Sequence, residues 1–537
     1  MARLSEGMTL EQQIGQTFMV GFHGHTPSSD VLDLIEKRQV GGVILFTRNV
    51  HDAAQTQALT SSLQAHARAA GHRFPLLIAT DQENGLVQRF GAAITPFPGA
   101  MALGAAGSAE LAREVAKATG QELRALGVNM NLAPVADVNN NPANPVIGAR
   151  SFGEDPEMVA RLVAASVEGY RAAGVIATLK HFPGHGDTAT DSHVALPVVP
   201  HTLERLERIE LLPFRRGIAV GADAILTAHL ALPQVTTDGD TTPATLSADV
   251  LTGLLRRQLG FTGVVVSDCL EMEAISQGVG VAAGAVQALG AGVDLVLVSH
   301  RAERQRAALA AVRTAVERGE LTSMVIQQAV ERVLRLKARY LSWDTLPTTA
   351  ALDTLGGPER QRLSADAYTR SATLVRDKAG LIPLHLAPTA TILIINTPGG
   401  DVSQAIDIAY AEQDMMASVR RYHANVSSVF AHDDTGEQRK ALREAIAAAE
   451  LIILPTLNVL HDPQRLASFR SLLARLSEAS IGARLIGMAI GSPYDAAALP
   501  EVPTYLATYE YTRPALDAAV NIIFGAAQPQ GRAPVTL

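Results

Sequence analysis

The sequence holds a single cysteine, Cys269, so no disulfide can form within the chain. It also lacks long apolar runs. Pieces such as GGVILF and GVDLVLV fall well short of the roughly eighteen residues a bilayer demands, which excludes a membrane span. The opening MARLSEGMTLEQQ has neither the basic nor the apolar region of a secretion signal, so the cytoplasm is the expected compartment. Strong charge of one sign is missing too. The balance of 45 Lys and Arg against 53 Asp and Glu is −8, a mild acidity that excludes nucleic acid and anionic membranes as the main partner.

What the sequence does have is apolar material: 537 residues, 47% of them hydrophobic, suffice for two or more domains. Over the first 300 residues, short apolar runs at 18–22, 42–46, 76–80, 128–138, 177–182, 224–229, 264–268 and 293–298 alternate with amphipathic stretches. Continuous Val/Ile/Leu runs suit strands buried on both faces, as in a parallel sheet. The stretches between them, such as SAELAREVAKATGQELRALG, EMVARLVAASVEGYRAAG and HTLERLERIELLPFRRGIAVG, repeat apolar residues at helical spacing and end near a glycine. Eight such units predict an α/β fold, a (β/α)8 TIM-like barrel over residues 1–343. A Thr-, Pro- and Gly-rich linker is expected at 344–370. Strand-like runs at 391–395, 426–430, 451–455, 484–490 and 504–509 then predict a smaller α/β layered sandwich domain over 371–537.

Chemistry in such a barrel sits at the C-terminal ends of the strands. The polar residues found there are Asp81 in DQENGLVQR, Asn139 and Arg150 after the fourth run, Lys180 and His181, His229, and Asp268. The densest segment, KHFPGHGDTATDSH at 180–193, gathers His181, His185, His193, Asp187 and Asp191. Two readings compete. Imidazoles and carboxylates could ligate a metal, but the spacing fits no helical ligand pattern and a glycine-rich loop makes a soft platform. Alternatively Asp191 and His193, two apart on an extended segment, point the same way and form an acid/base dyad. Asp268 has three readings: a nucleophile at the barrel rim, a ligand for a cationic or hydroxyl-rich substrate, or an N-cap for the next helix with Glu271 completing a capping box.

DQENGLVQR, GARSFGEDP, KHFPGHGDTATDSH and VVVSD, in this order and at these separations, resemble the β-N-acetylglucosaminidases of glycoside hydrolase family three. The resemblance spans roughly residues 8–340, and RSATLVRDKAGLIPL resembles the start of that family's second domain. It implies that Asp268 is the nucleophile of a retaining mechanism and that His193 is the acid/base, oriented by Asp191. Asp81, Arg89, Arg150, Lys180 and His181 match positions that hold sugar hydroxyls. No metal or organic cofactor is implied, and the partner is a small glycoside, a cell-wall or chitin fragment, cleaved from its end. An aromatic content of 4% agrees with a short pocket rather than a platform for crystalline polysaccharide. Three positions depart from the family pattern: Asn84 stands where a second glycine is common, Leu86 where arginine is common, and Cys269 where aspartate is frequent. A histidine acid/base carries no negative charge and would not repel phosphate, so a phosphorylase on the same scaffold is an alternative. A non-catalytic sugar-binding protein is another.

Overall fold

The computed structural model describes residues 3–192, 195–397, 406, 412–431, 436–478 and 484–537. Eight parallel strands form the first sheet: β1 (Phe18–Val20), β2 (Gly42–Leu45), β3 (Leu77–Thr80), β4 (Met130–Asn131), β5 (Ile176–Phe182), β6 (Ala224–Thr227), β7 (Val264–Val266) and β8 (Val296–Val298). They pair in sequence from β1 to β7, with β8 beside β1. Hydrogen bonds from the Asp294 and Leu295 N–H groups to Val265 O, and from Ser267 N–H to Leu295 O, join β7 to β8 and close the barrel. Neighbouring residues on a strand face opposite ways. Met19, Ile44, Leu77, Ala79, Ile176, Leu226 and Val266 therefore gather in one apolar cluster. Phe18, Val20, Val43, Leu45, Ile78 and Val265 join another with the surrounding helices. Both faces are buried, which is why the strands read as unbroken apolar runs.

The helices begin where the sequence offers a cap. Ser28, Asp52, Ser108, Asp155 and Thr202 each accept a first-turn N–H. The helices Ala109–Ala125 and Pro156–Ala172 end ahead of Gly127 and Gly174, whose φ of +84° and +73° only glycine adopts cheaply. The stretch expected as one helix over 201–221 is two, Leu203–Arg208 and Leu211–Ala219. Pro213 is the reason: it has no N–H for Ile209 O and its ring would clash there, so it is tolerated only in the first turn of a new helix.

The second sheet holds β9 (Thr373–Asp377), β10 (Ile392–Asn396), β11 (Val426–Phe430), β12 (Leu451–Thr456), β13 (Leu485–Ala489) and β14 (Thr504–Ala507), in the order β11-β10-β12-β13-β14-β9. All pairs are parallel except β9 with β14. Leu393, Ile395, Ile452 and Leu454 face one apolar cluster, and Ile392, Ile394, Leu451 and Ile453 the other, so helices cover both sides. Between the two sheets lies the helix Pro358–Ser371, whose Ala367 joins the barrel's cluster and whose Tyr368 joins the second domain's. The segment 532–536 returns to the barrel: Arg532 N–H donates to Ala105 O (3.0 Å) and Glu154 N–H to Pro534 O (3.1 Å). Among the described residues no helix is long and apolar enough to cross a membrane.

Lys337, on the helix Ser323–Tyr340, is fully buried, and its ammonium donates to Gln16 Oε1 at 2.8 Å. Burial lowers its pKa to about 7. Above that value the folded state releases a proton that the unfolded state keeps up to its ordinary range, so the cost of the buried charge fades as pH rises. Lys337→Met is expected to be more stable than the wild type in mild acid. Urea unfolding between about pH 7 and 9 should show this advantage shrinking by up to about 1.4 kcal/mol per pH unit.

Candidate active site

The C-terminal ends of the barrel strands surround a cavity of about 280 Å³. Phe46 and Arg48 stand beyond β2, Asp81, Glu83 and Arg89 beyond β3, and Arg150 beyond β4. Lys180, His181 and His185 come from the end of β5 and its loop, Asp268 and Cys269 from beyond β7, and Ser299 and His300 from beyond β8.

A buried ion network forms one wall. Lys180 Nζ lies 2.6 Å from both Asp81 Oδ1 and Glu83 Oε1. Arg150 grips Glu83 with two parallel bonds, Nε to Oε2 at 2.9 Å and Nη2 to Oε1 at 2.7 Å. The Lys180 and Glu83 side chains are only 2% and 5% exposed. Burial works against the Glu83 charge, yet Arg150 and Lys180 more than offset it and hold the carboxyl well below the usual glutamate range. The same pairing raises the pKa of Arg150 in spite of its burial. Arg89 reaches toward Asp81 from the other side, 3.9 Å away.

Asp137, fully buried, organises the next stretch of wall. Its Oδ2 meets His181 Nδ1 at 2.8 Å, and its Oδ1 accepts the backbone N–H groups of His181 (3.2 Å) and His185 (2.7 Å). With Nδ1–H directed at the carboxylate, His181 turns Nε2 toward Arg150 Nη2, 3.4 Å away. His185 is an internal strut of its loop, its ring nitrogens taken by Thr188 Oγ1 (2.8 Å) and Ser192 Oγ (3.0 Å). Burial lowers its pKa to about 4, so it is neutral at physiological pH.

On the opposite wall Asp268 is half-buried, and its Oδ1 accepts the Cys269 N–H at 2.7 Å. The capping alternative does not hold: the next helix, Glu273–Ser276, has Met272 at its N-cap with no side-chain bond. Glu271 instead accepts the backbone N–H groups of His300 (2.6 Å) and Arg301 (3.2 Å). His229, expected at the rim, lies behind this wall, fully buried between Thr245 Oγ1 (2.8 Å) and Cys269 O (3.0 Å). Burial pushes the Cys269 thiol up to about 12, and its Sγ sits 3.0 Å from Ser299 Oγ.

Asp191 is half-buried in the β5 loop and is not among the cavity-lining residues, although its neighbour Ser192 is. His193, expected to work with Asp191, lies outside the described residues. Asp187 is directed elsewhere, to His201 Nε2 at 2.7 Å. With Glu210 these two place ligand-type atoms within 4.8 Å of one another. The Arg205 guanidinium already serves that group, donating to both Glu210 oxygens at 2.9 and 2.7 Å.

The other two departures from the family pattern acquire physical reasons. Asn84 has φ +68°, a left-handed conformation that asparagine tolerates better than most residues with a side chain. Its amide accepts from Gln82 Nε2 and donates to Thr119 Oγ1, both at 3.0 Å. Leu86 turns out of the cavity into the apolar core of the second domain. Glu83 and Asp137 escaped the sequence reading. Glu83 sits two residues from Asp81 in DQENGLVQR, where strand alternation offered a signal, whereas Asp137 is embedded in the apolar stretch LAPVADV.

Residues 9–336 match the family model described as Glycosyl hydrolase family 3 N terminal domain. The chain belongs to glycosyl hydrolase family 3. Beta-hexosaminidase A of Pseudoalteromonas piscicida is 32% identical over 99% of this glycoside hydrolase and 97% of its own length. A solved family 3 β-N-acetylglucosaminidase from Paenibacillus sp. str. FPU-7 is 41% identical, covers 99% of both chains and superposes with a TM-score of 0.90. A fungal multi-domain family 3 β-N-acetylglucosaminidase is 40% identical with a TM-score of 0.91, and this hydrolase spans 98% of itself but 61% of that longer chain.

Glu83 is the member of the ion network that pairs with both buried cations, Lys180 and Arg150. Glu83→Gln is expected to lower unfolding free energy by about 3–5 kcal/mol, the usual result of breaking a buried pair. The depressed folded pKa places the Glu83 contribution at pH values above the ordinary glutamate range, and it fades as pH falls below that range. Urea unfolding at neutral pH and in acid should therefore show the wild type and the variant converging at low pH.

Proposed function

We propose that this family 3 glycoside hydrolase is a retaining, exo-acting β-N-acetylglucosaminidase that releases terminal N-acetylglucosamine from small glycosides in the cytoplasm. The observation that carries this reading is the composition of one small cavity: a wall of paired Asp81, Glu83, Lys180 and Arg150 faces the half-buried carboxylate of Asp268. At about 280 Å³ it lies at the small end of ligand pockets, which suits a single sugar ring. Carboxylates and cations interleave, so the lining offers donors and acceptors for a neutral, hydroxyl-rich ligand without selecting a charged one. The names of the relatives support the same sugar.

In this reading Asp81, Arg89, Arg150, Lys180 and His181 hold the hydroxyls. Asp268 attacks the anomeric carbon from the opposite wall, forming a covalent glycosyl ester while the aglycone departs. His193, oriented by Asp191, protonates the leaving oxygen and then takes a proton from the incoming water. No step calls on a metal or an organic cofactor. Hydrolysis and phosphorolysis share the first half of this sequence and differ in the acceptor. Product analysis with 4-nitrophenyl N-acetylglucosaminide, with and without phosphate, tests the reading: free N-acetylglucosamine in both cases supports it, and a sugar 1-phosphate assigns a phosphorylase instead.

Asp268→Asn is expected to reduce turnover by on the order of a thousandfold or more while leaving the melting temperature unchanged, because the carboxylate serves chemistry rather than the core. Activity close to wild type would remove Asp268 from the nucleophile's role. His193→Ala should depress cleavage of unactivated oligosaccharides far more than of aryl glycosides with acidic phenols, which leave with little protonation. An equal loss on every leaving group would make His193 a binding residue.

A further inference from the structure

The second domain meets the barrel at the loop that carries half of the ion network. Leu86, 7% exposed, packs in a cluster with Tyr368, Leu384, Leu457 and Tyr511. Beside it Gly85 leaves no space: a Cβ there would stand 2.6 Å from Gly99 Cα and 2.7 Å from Glu510 Oε2. Glu510 follows β14, is 1% exposed, and does not line the cavity. Its Oε2 accepts the Gly99 N–H at 2.8 Å, and its Oε1 accepts the hydroxyls of Tyr368 (2.9 Å) and Thr512 (2.6 Å). Of these three donors only Gly99 belongs to the barrel. The segment leading to Gly99 is tied in turn to the loop, since Gly85 N–H donates to Phe97 O at 3.2 Å. The loop is narrow, with Glu83 N–H donating to Val87 O at 3.1 Å.

We infer that Glu510 is a positioning residue: from the second domain it fixes the backbone at Gly99 and Gly85, and so sets where Asp81, Glu83 and Arg89 stand. An apolar side chain would glue the two surfaces together equally well, and a buried carboxylate is expensive. What the carboxylate adds is direction, because it accepts from one backbone N–H at one place and is held by the hydroxyls of Tyr368 and Thr512. Glu83 is two residues from Gly85, and its bidentate bond to Arg150 tolerates little displacement.

The inference rests on the proposed sugar-binding role of the cavity. Its test is steady-state kinetics of the full chain on 4-nitrophenyl N-acetylglucosaminide. Glu510→Ala is expected to raise KM about tenfold with kcat within about threefold of wild type, the size of effect a lost buried hydrogen bond produces. Glu510→Gln should bring KM back to within about twofold, since its amide oxygen can accept from Gly99 while its NH2 donates to a neighbouring hydroxyl. If Glu510→Ala does not fold, Glu510→Asp, which draws the carboxylate back by one methylene, is read the same way. An unchanged KM, or a kcat reduced in proportion to the folded fraction with KM intact, would reduce Glu510 to an interface residue. A wild type inactive on this substrate overturns the glycosidase reading and the inference together, whereas an active wild type with KM unmoved in the variants overturns the inference alone.

Discussion

The buried ammonium of Lys180, at the end of β5, is compensated by carboxylates around it. Asp81 and Glu83 supply them from β3, across the barrel mouth, and Glu83 draws in Arg150 from the long β4 loop. Three strand ends are thereby locked into one constellation before any ligand arrives. Its geometry is fixed by charge pairing in a place where unpaired charge is intolerable, so the cost of organising the site is met on folding rather than on binding.

Part of the support of the loops involved comes from outside the barrel. Leu86 is held in the second domain's core, Asn139 Nδ2 donates to the Tyr494 hydroxyl at 3.1 Å, and Pro142 O faces His461 Nε2 at 3.0 Å. These contacts fall on the β3 and β4 loops. The β7 and β8 loops, which carry Asp268 and His300, are braced within the barrel by Glu271 and His229. The two walls of the cavity thus differ: the β3 and β4 side has second-domain contacts in addition to those of the barrel.

The eight-strand barrel and the second layered domain were legible because continuous apolar runs between amphipathic stretches leave few alternatives. Strand β4 was read too long, as 128–138: its continuous ladder is Met130–Asn131, and around Pro134, which has no N–H to contribute, it persists only as the isolated bridge of Val135 with Lys180. β9 was missed: it is an antiparallel edge strand whose partner, β14, lies far along the chain, and a short edge leaves a weak local pattern. At the site, charged residues directly after strands were readable from position. Asp137 was not, because its carboxylate is recruited by backbone N–H groups of another loop, and sequence does not show which backbone groups will come near. The packing of Leu86 was equally hidden, since it depends on a surface more than 250 residues away in the sequence.

The return of the segment 532–536 to the barrel has a thermodynamic consequence. Because Arg532 and Pro534 hydrogen-bond the backbone at Ala105 and Glu154, the two domains are connected covalently at one point and by backbone hydrogen bonds at another. Parting the two domains means opening the ring so formed as well as the interface, and next to it Gly531 N–H donates to Ala372 O (3.3 Å), beside the start of β9. Contacts that tie the barrel mouth to a sheet contributing no residue to the cavity lining raise the cost of opening it locally.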